Sequence, residues 1–218
     1  MKYKTSLFCS IGTIIEPSEI QWKPFNETFK DVGLEWYWDE TGYKNLLKKS
    51  GGEKKIEDFY HKNNSKVDTL NIRLHKTELF NRYLMEGIFK PRVGVLDIIN
   101  YANENGLKLG LVTSTTTNNI DAVFSTLKNF IQKDHFDFIG NNHMINKPKP
   151  NAEIYYKVLE YLSLNSSEYI SIEDTEESAK SFLDAKIKCI GFPWNFHIHD
   201  SFEICERKDN KLSISIFN

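Results

Sequence analysis

Between Pro91 and Pro193, short apolar runs alternate with helical patterns, and that rhythm leaves few folds open. VGVLDIINYANENG has helical spacing and closes on Gly106, whose missing Cβ suits a C-terminal cap. LKLGLVTS then reads as a strand, NNIDAVFSTLKNFI as a helix and FDFIG as a short strand. Asn151 can cap the next helix, AEIYYKVLEYLSL, with its side-chain oxygen. EYISIEDT (strand), EESAKSFLDAKI (helix) and KCIGFP (strand) complete the series. Strands separated by helices of this length cannot pair as hairpins. They predict βαβ units and a parallel sheet with helices on both faces. Residues 4–11, apolar on both sides, read as a further buried strand of that sheet. The tail KLSISIF alternates like an edge strand.

Residues 17–88 break the rhythm. WKPFNETFKDVGLEWYW, ETGYKNLLKKSGG, KKIEDFYHKNN and TLNIRLHKTELFNRYLME are polar, aromatic-rich and helical in period, with turn signals between them. They predict a small all-helical domain inserted after the first strand, leaving 1–16 and 89–218 for a doubly wound α/β core. With 218 residues, 40% of them hydrophobic, the chain can fill both cores.

The remaining composition bears on partners. The formal net charge is −2, and no basic tail or arginine cluster suggests nucleic acid, so a small-molecule ligand is expected. Cys9, Cys189 and Cys205 are too few and too scattered for a disulfide framework or zinc knuckle, which fits a reducing, cytoplasmic compartment. Lys2 and Lys4 precede an apolar run as in a signal peptide. However, Ser6, Ser10 and Gly12 interrupt that run, and no small-residue cleavage site follows before Glu16-Pro17. No window approaches the ~20 apolar residues that span a bilayer, so no membrane partner is expected.

Ligands of open parallel sheets bind beyond the carboxyl ends of the strands. The residues there are Cys9 to Thr13, Thr113-Ser114, the loop NKPKPN and Glu173-Asp174. Each suits a phosphate. The Thr113 hydroxyl can donate to a phosphoryl oxygen, and Lys147 supplies positive charge on a loop stiffened by Pro148 and Pro150. Glu173-Asp174 offers hard oxygen ligands for Mg²⁺, and N–H groups around Gly12 can form an anion nest.

In motif order and spacing the chain resembles the haloacid dehalogenase superfamily with a helical cap, and within it the CbbY-type sugar-phosphate phosphatases related to β-phosphoglucomutase. The phrases that carry the resemblance are FNETFKDVGLEWYWD, LLKKSGGEKK and HKTELF in the cap. In the core they are KPRVGVLDIINYANENGLKLGLVTS, KPKPNAEIY and ISIEDT. The resemblance implies a chemistry in which an aspartate attacks phosphorus and a second aspartate, two residues on, protonates the leaving group. Mg²⁺ bridges the nucleophile, the phosphate and the acidic pair. It assigns Gly12, Thr113, Ser114 and Lys147 to the phosphate, Lys147 also to catalysis, and Glu173 and Asp174 to the metal. Glu19, Lys54 and Lys55 fall on the cap, facing substrate.

The family turn Asp-x-Asp-Gly-Thr here reads Cys9-Ser10-Ile11-Gly12-Thr13, so Cys9 falls on the nucleophile and Ile11 on the acid/base. Ile11 carries no proton, which removes acid–base help of about 10²–10⁴-fold. Sulfur at position 9 is a soft ligand that Mg²⁺ disfavours, so weakened Mg²⁺ binding is expected. No arginine soon after Cys9 closes a thiol-phosphatase loop, and every histidine lies at 61 or later. Asn151 replaces the aspartate after the lysine loop. Thr175-Glu176-Glu177-Ser178 stands for Ser-x-x-Gly, and Ser50-Gly51-Gly52-Glu53 for Gly-Gly-Gly-Lys.

Two functions follow. One is a weak or inactive hydrolase of phosphorylated metabolites, acting as a monomer. The other is a non-catalytic module that binds a phospho-ligand or a protein. Plainer roles stand beside these: Cys9 as a small buried strand residue, Lys147 as a surface lysine, Glu173-Asp174 as a solvated strand end and Thr113 as part of a polar turn. His197-Ile198-His199-Asp200 places two histidines on one face if it is a strand, but with no further partner the cluster reads as incidental. Gly51-Gly52-Glu53-Lys54 lacks the spacing of a P-loop.

Overall fold

The computed structural model describes residues 1–47 and 68–218, and these divide into two compact units, Met1–Glu16 with Ile88–Asn218 and Pro17–Gly87.

In the first unit the strands are β1 (Thr5–Phe8), β2 (Lys108–Leu111), β3 (Phe138–Ile139), β4 (Tyr169–Glu173), β5 (Lys188–Gly191) and β6 (Arg207–Lys208). They form one sheet in the order β3-β2-β1-β4-β5-β6, parallel throughout. β1 is central and buried along its whole length, as expected of a strand covered on both faces. Its register sets Phe8 beside Leu111 on one side and Ile172 on the other. The chain leaves β1 toward β2 but returns on the opposite side at β4. The carboxyl ends of β1 and β4 therefore flank a point where strand order reverses, the usual position of a ligand crevice.

Connecting helices run over Val95–Glu104, Thr117–Thr126 and Glu153–Leu162. The first ends before Gly106, which has φ +66°, in accord with the expected cap. Thr116 caps the second through Asn119 N. EESAKSFLDAKI, expected as one helix, forms two, Glu176–Ala179 and Ser181–Asp184. The Ser181 hydroxyl donates back to the Ser178 carbonyl at the joint.

The tail corrects the sequence reading. KLSISIF is no edge strand, because β6 holds that edge and Ile214–Phe217 coil into a 3₁₀ turn. Leu212, Ile216 and Phe217 are buried while Ile214 is 45% exposed. Helical spacing therefore fits the core better than alternation. The Phe217 carbonyl accepts from Lys2 N and Tyr3 N, and its ring stacks on Tyr101. Likewise 195–200 is not a strand: Asn195–His197 is a 3₁₀ turn, and His197 Nδ1 lies 2.6 Å from Asp200 Oδ2.

The second unit is helical where described, with helices at Lys23–Asp31, Glu40–Leu47 and Thr69–Glu86. Its core is aromatic. Trp38 packs on Phe25 and Phe29 with centroids 4.7 and 4.9 Å away, and Tyr43 lies beside Phe25. The Asn26 amide fixes the Trp38 backbone with two hydrogen bonds, at 2.7 and 2.8 Å. Asp68 caps the long helix by accepting from Asn71 N.

Candidate functional site

Past Phe8 the backbone still tracks β4, since Cys9 N donates to the Ile172 carbonyl at 3.3 Å. The chain then turns sharply. Ile14 N donates to Ser10 O and Gly12 N to Ile15 O, both at 2.9 Å. Gly12 has φ +90°, and a Cβ there would lie 2.0 Å from Asp174 Oδ2. Both the conformation and the close approach therefore demand glycine. Thr13, fully buried, donates to the other Asp174 oxygen at 3.4 Å. The Gly-Thr step thus cradles one carboxylate of the acidic pair.

On the β2 side, buried Thr113 accepts from Ser10 Oγ and from Thr115 N, both at 3.2 Å. Ser114 Oγ accepts from Lys149 N at 2.9 Å, which ties the lysine loop to the end of β2. Lys147, expected at the phosphate, lies on the surface. Glu153 at the start of its helix captures the Asn146 and Lys147 amides, at 3.0 and 2.9 Å, and the Lys147 side chain remains exposed. Ser114 meanwhile draws Lys149 inward, and its ammonium lies 2.5 Å from Glu173 Oε1, with both side chains nearly inaccessible. The Tyr155 hydroxyl donates to the same Oε1. Glu173 Oε2 is buried with no hydrogen-bond partner. Glu173-Asp174 is therefore no solvated strand end.

Residue types alone did not single out Lys149, Tyr155 or Arg92. Arg92 follows Pro91 and donates to the carbonyls of Gly12, Phe192 and Pro193, with its guanidinium over the Phe192 ring at 3.5 Å. It locks the β1 turn to the end of β5. Ile11 is half-buried and bridged to Ile15. Glu19 is exposed in a short 3₁₀ turn of the second unit, whereas Lys54, Lys55 and Ser50–Glu53 lie outside the described residues.

Burial and close charges set the protonation states. Burial pushes the Cys9 thiol up, Asp174 and Glu173 push it further, and Lys149 opposes them. The thiol is therefore neutral at ordinary pH. Burial, then the Glu173 charge, raises Asp174 to about 7 against the pull of Lys149 and Arg92. Burial alone would lower Lys149, but the Glu173 carboxylate outweighs it and leaves the ammonium raised. Burial lowers Arg92 to about 10, with Glu16 and Asp174 opposing. Cys9, Glu173 and Asp174 each place one ligand atom within 4.8 Å of the others, the only such group among the described residues. An ammonium, a thiol and two carboxyls thus crowd the switch point, with hydroxyls on the opposite wall.

The sequence matches the haloacid dehalogenase-like hydrolase family over residues 12–192. The chain belongs to that family. Among haloacid dehalogenase-like hydrolases it is CbbY-like. It is 29% identical over 204 residues to protein CbbY of Cereibacter sphaeroides, covering 92% of this chain and 89% of that one. It is 27% identical to CbbY of Rhodobacter capsulatus, covering 98% and 95%. The crystal structure of CbbY from Rhodobacter sphaeroides in complex with phosphate superposes with a TM-score of 0.85 at 28% identity, over 96% of this chain and 94% of that one. A mutant of the same protein, in complex with xylulose-(1,5)bisphosphate, superposes equally well. No helix among the described residues is long and apolar enough to cross a membrane.

Proposed function

We propose that this chain binds a small phosphorylated sugar in the CbbY manner but has little or no Mg²⁺-dependent phosphatase turnover. The observation that carries the reading is the thiol at the end of β1. Cys9 stands against Lys149, Glu173 and Asp174, and its surroundings keep it protonated. A protonated thiol is a poor nucleophile, and Ile11 has no proton to give. Phosphate and xylulose-(1,5)bisphosphate, the ligands of the CbbY structures, support the substrate class. Ser10, Gly12, Thr113 and Lys149 supply hydroxyls, N–H groups and one cation suited to phosphoryl oxygens. In this reading the Pro17–Gly87 unit is the family's cap. The protein works as a cytoplasmic monomer on a free metabolite.

Mg²⁺, which the family implies, fits these residues poorly. One of its three donors is sulfur, which hard Mg²⁺ disfavours. One Glu173 oxygen is already committed to Lys149 and Tyr155.

The test is phosphate release from sugar phosphates, xylulose 1,5-bisphosphate included, with Mg²⁺. The native chain is expected near background. Cys9→Asp/Ile11→Asp restores nucleophile, acid and an oxygen ligand, and should raise turnover by about 10²–10⁴-fold. Robust native turnover abolished by Cys9→Ser would replace this reading with thiol chemistry.

A further inference from the structure

Three donors meet at the switch point, and only two are oxygen. We infer that Cys9, Glu173 and Asp174 form a binding site for a thiophilic divalent cation of the zinc class in place of Mg²⁺. The proposal rests on the reading above that Mg²⁺ no longer fits.

The three ligand atoms lie within 4.8 Å of one another, so one ion can reach all three after small rotamer adjustments. Zinc takes thiolate at about 2.3 Å and carboxylate oxygen at about 2.0–2.2 Å, and with three protein ligands it keeps a fourth position open. A phosphoryl oxygen or a water can take that position. The second observation is the hydrogen bonding of Glu173 rather than the spacing of the donors. Glu173 is fully buried, yet its Oε2 has no hydrogen-bond partner while Oε1 has two. Leaving a buried carboxylate oxygen unpaired is costly, and a cation resolves the cost. Asp174 is likewise held in place, one oxygen on Thr13 and the other against Gly12.

Charge also balances. On binding, the metal displaces the Cys9 proton, and the Asp174 proton where it is still held, to solvent, giving one thiolate and two carboxylates. A divalent cation together with the Lys149 ammonium offsets those three negative charges. Ligand softness then selects the ion, since thiolate favours zinc-class metals whereas Mg²⁺ wants oxygen alone.

The experiment titrates chelator-treated full-length protein with Co²⁺, Zn²⁺ and Mg²⁺. Zn²⁺ should bind with unit stoichiometry and far more tightly than Mg²⁺, and Co²⁺ should give a thiolate-to-metal charge-transfer absorption. Cys9→Ser should abolish that absorption and weaken Zn²⁺ by about a hundredfold or more, since altering even the partners of metal ligands costs 10–100-fold. Cys189→Ser and Cys205→Ser should leave both unchanged. A cobalt band that persists in Cys9→Ser, or Mg²⁺ binding as tight as Zn²⁺, overturns the proposal. Residue-resolved alkylation of the native chain needs no substitution. Zn²⁺ should slow modification of Cys9 and not of Cys205, and equal modification with and without Zn²⁺ overturns the proposal. Phosphate release reports on the loss of Mg²⁺ turnover and the cobalt band on the metal, so either can fail alone.

Discussion

The wall of the crevice between β1 and β2 and the wall between β1 and β4 are held by different physics. On the first, neutral hydroxyls and amides join end to end: Ser10 to Thr113, Thr115 to Thr113, and the Lys149 amide to Ser114. Each such bond is worth about 0.5–1.5 kcal/mol, and no charge must be balanced. On the second, Lys149 and Glu173 pair out of water, with Asp174 and the Cys9 thiol alongside. There each charge depends on its partner, because an uncompensated buried ion costs several kcal/mol. The loop architecture can thus tolerate a change of reacting group at Cys9 and Ile11, since the neutral wall does not involve those side chains.

The sharpest contrast between the walls lies in two lysines two residues apart. Lys149→Ala leaves Glu173 buried without its counter-charge and should cost about 3–5 kcal/mol in urea unfolding. Lys147→Ala removes an exposed side chain and should stay within about 0.5 kcal/mol. Equal effects of the two substitutions would erase the distinction between the walls and return the cation role to Lys147.

The charged wall should also give stability a pH dependence that the neutral wall cannot. In the folded chain Asp174 keeps its proton up to about pH 7, mainly through burial and then Glu173, whereas in the unfolded chain it ionises near 3.9. Between those values the folded state binds more protons. The contribution is therefore fully present below about pH 4 and lost as pH rises through 7, by something on the order of 4 kcal/mol. Asp174→Asn should match the native protein near pH 4 and exceed it near pH 8, measured by thermal or urea unfolding of chelator-treated protein. Parallel pH profiles for the two proteins would show that Asp174 is solvated.

These contrasts also explain how much could be read from the sequence. The α/β core was legible because strand and helix periods alternate without interruption from Pro91 to Pro193, and a parallel sheet admits few other arrangements. The tail was misread because KLSISIF satisfies period 2 in letters, while burial of Ile216 and Phe217 with Ile214 outside follows a helical turn. Cys9, Gly12, Thr113, Glu173 and Asp174 converge because each ends a strand, and strand ends are visible as changes in pattern. Which lysine of NKPKPN faces inward is not a local property. It depends on Glu153 capturing the Lys147 amide and Ser114 capturing the Lys149 amide. Arg92 escaped for the same reason, its three carbonyl partners lying at positions 12, 192 and 193.

Ser114 offers the smallest test and the most specific one, because it joins the walls. Its hydroxyl accepts from the Lys149 amide, so a neutral bond on one side aims the cation on the other. Ser114→Ala removes that acceptor and leaves a part-buried N–H unpaired, which should cost about 1 kcal/mol. If the bond only stabilises the loop, ligand affinity should be unchanged once the variant is confirmed as folded. If it aims Lys149, inorganic phosphate should bind several-fold more weakly by isothermal titration. Ser114→Thr, which keeps the hydroxyl, should then recover most of the loss. A loss that Ser114→Thr fails to recover would point to crowding at the end of β2 and would break the link between the two walls.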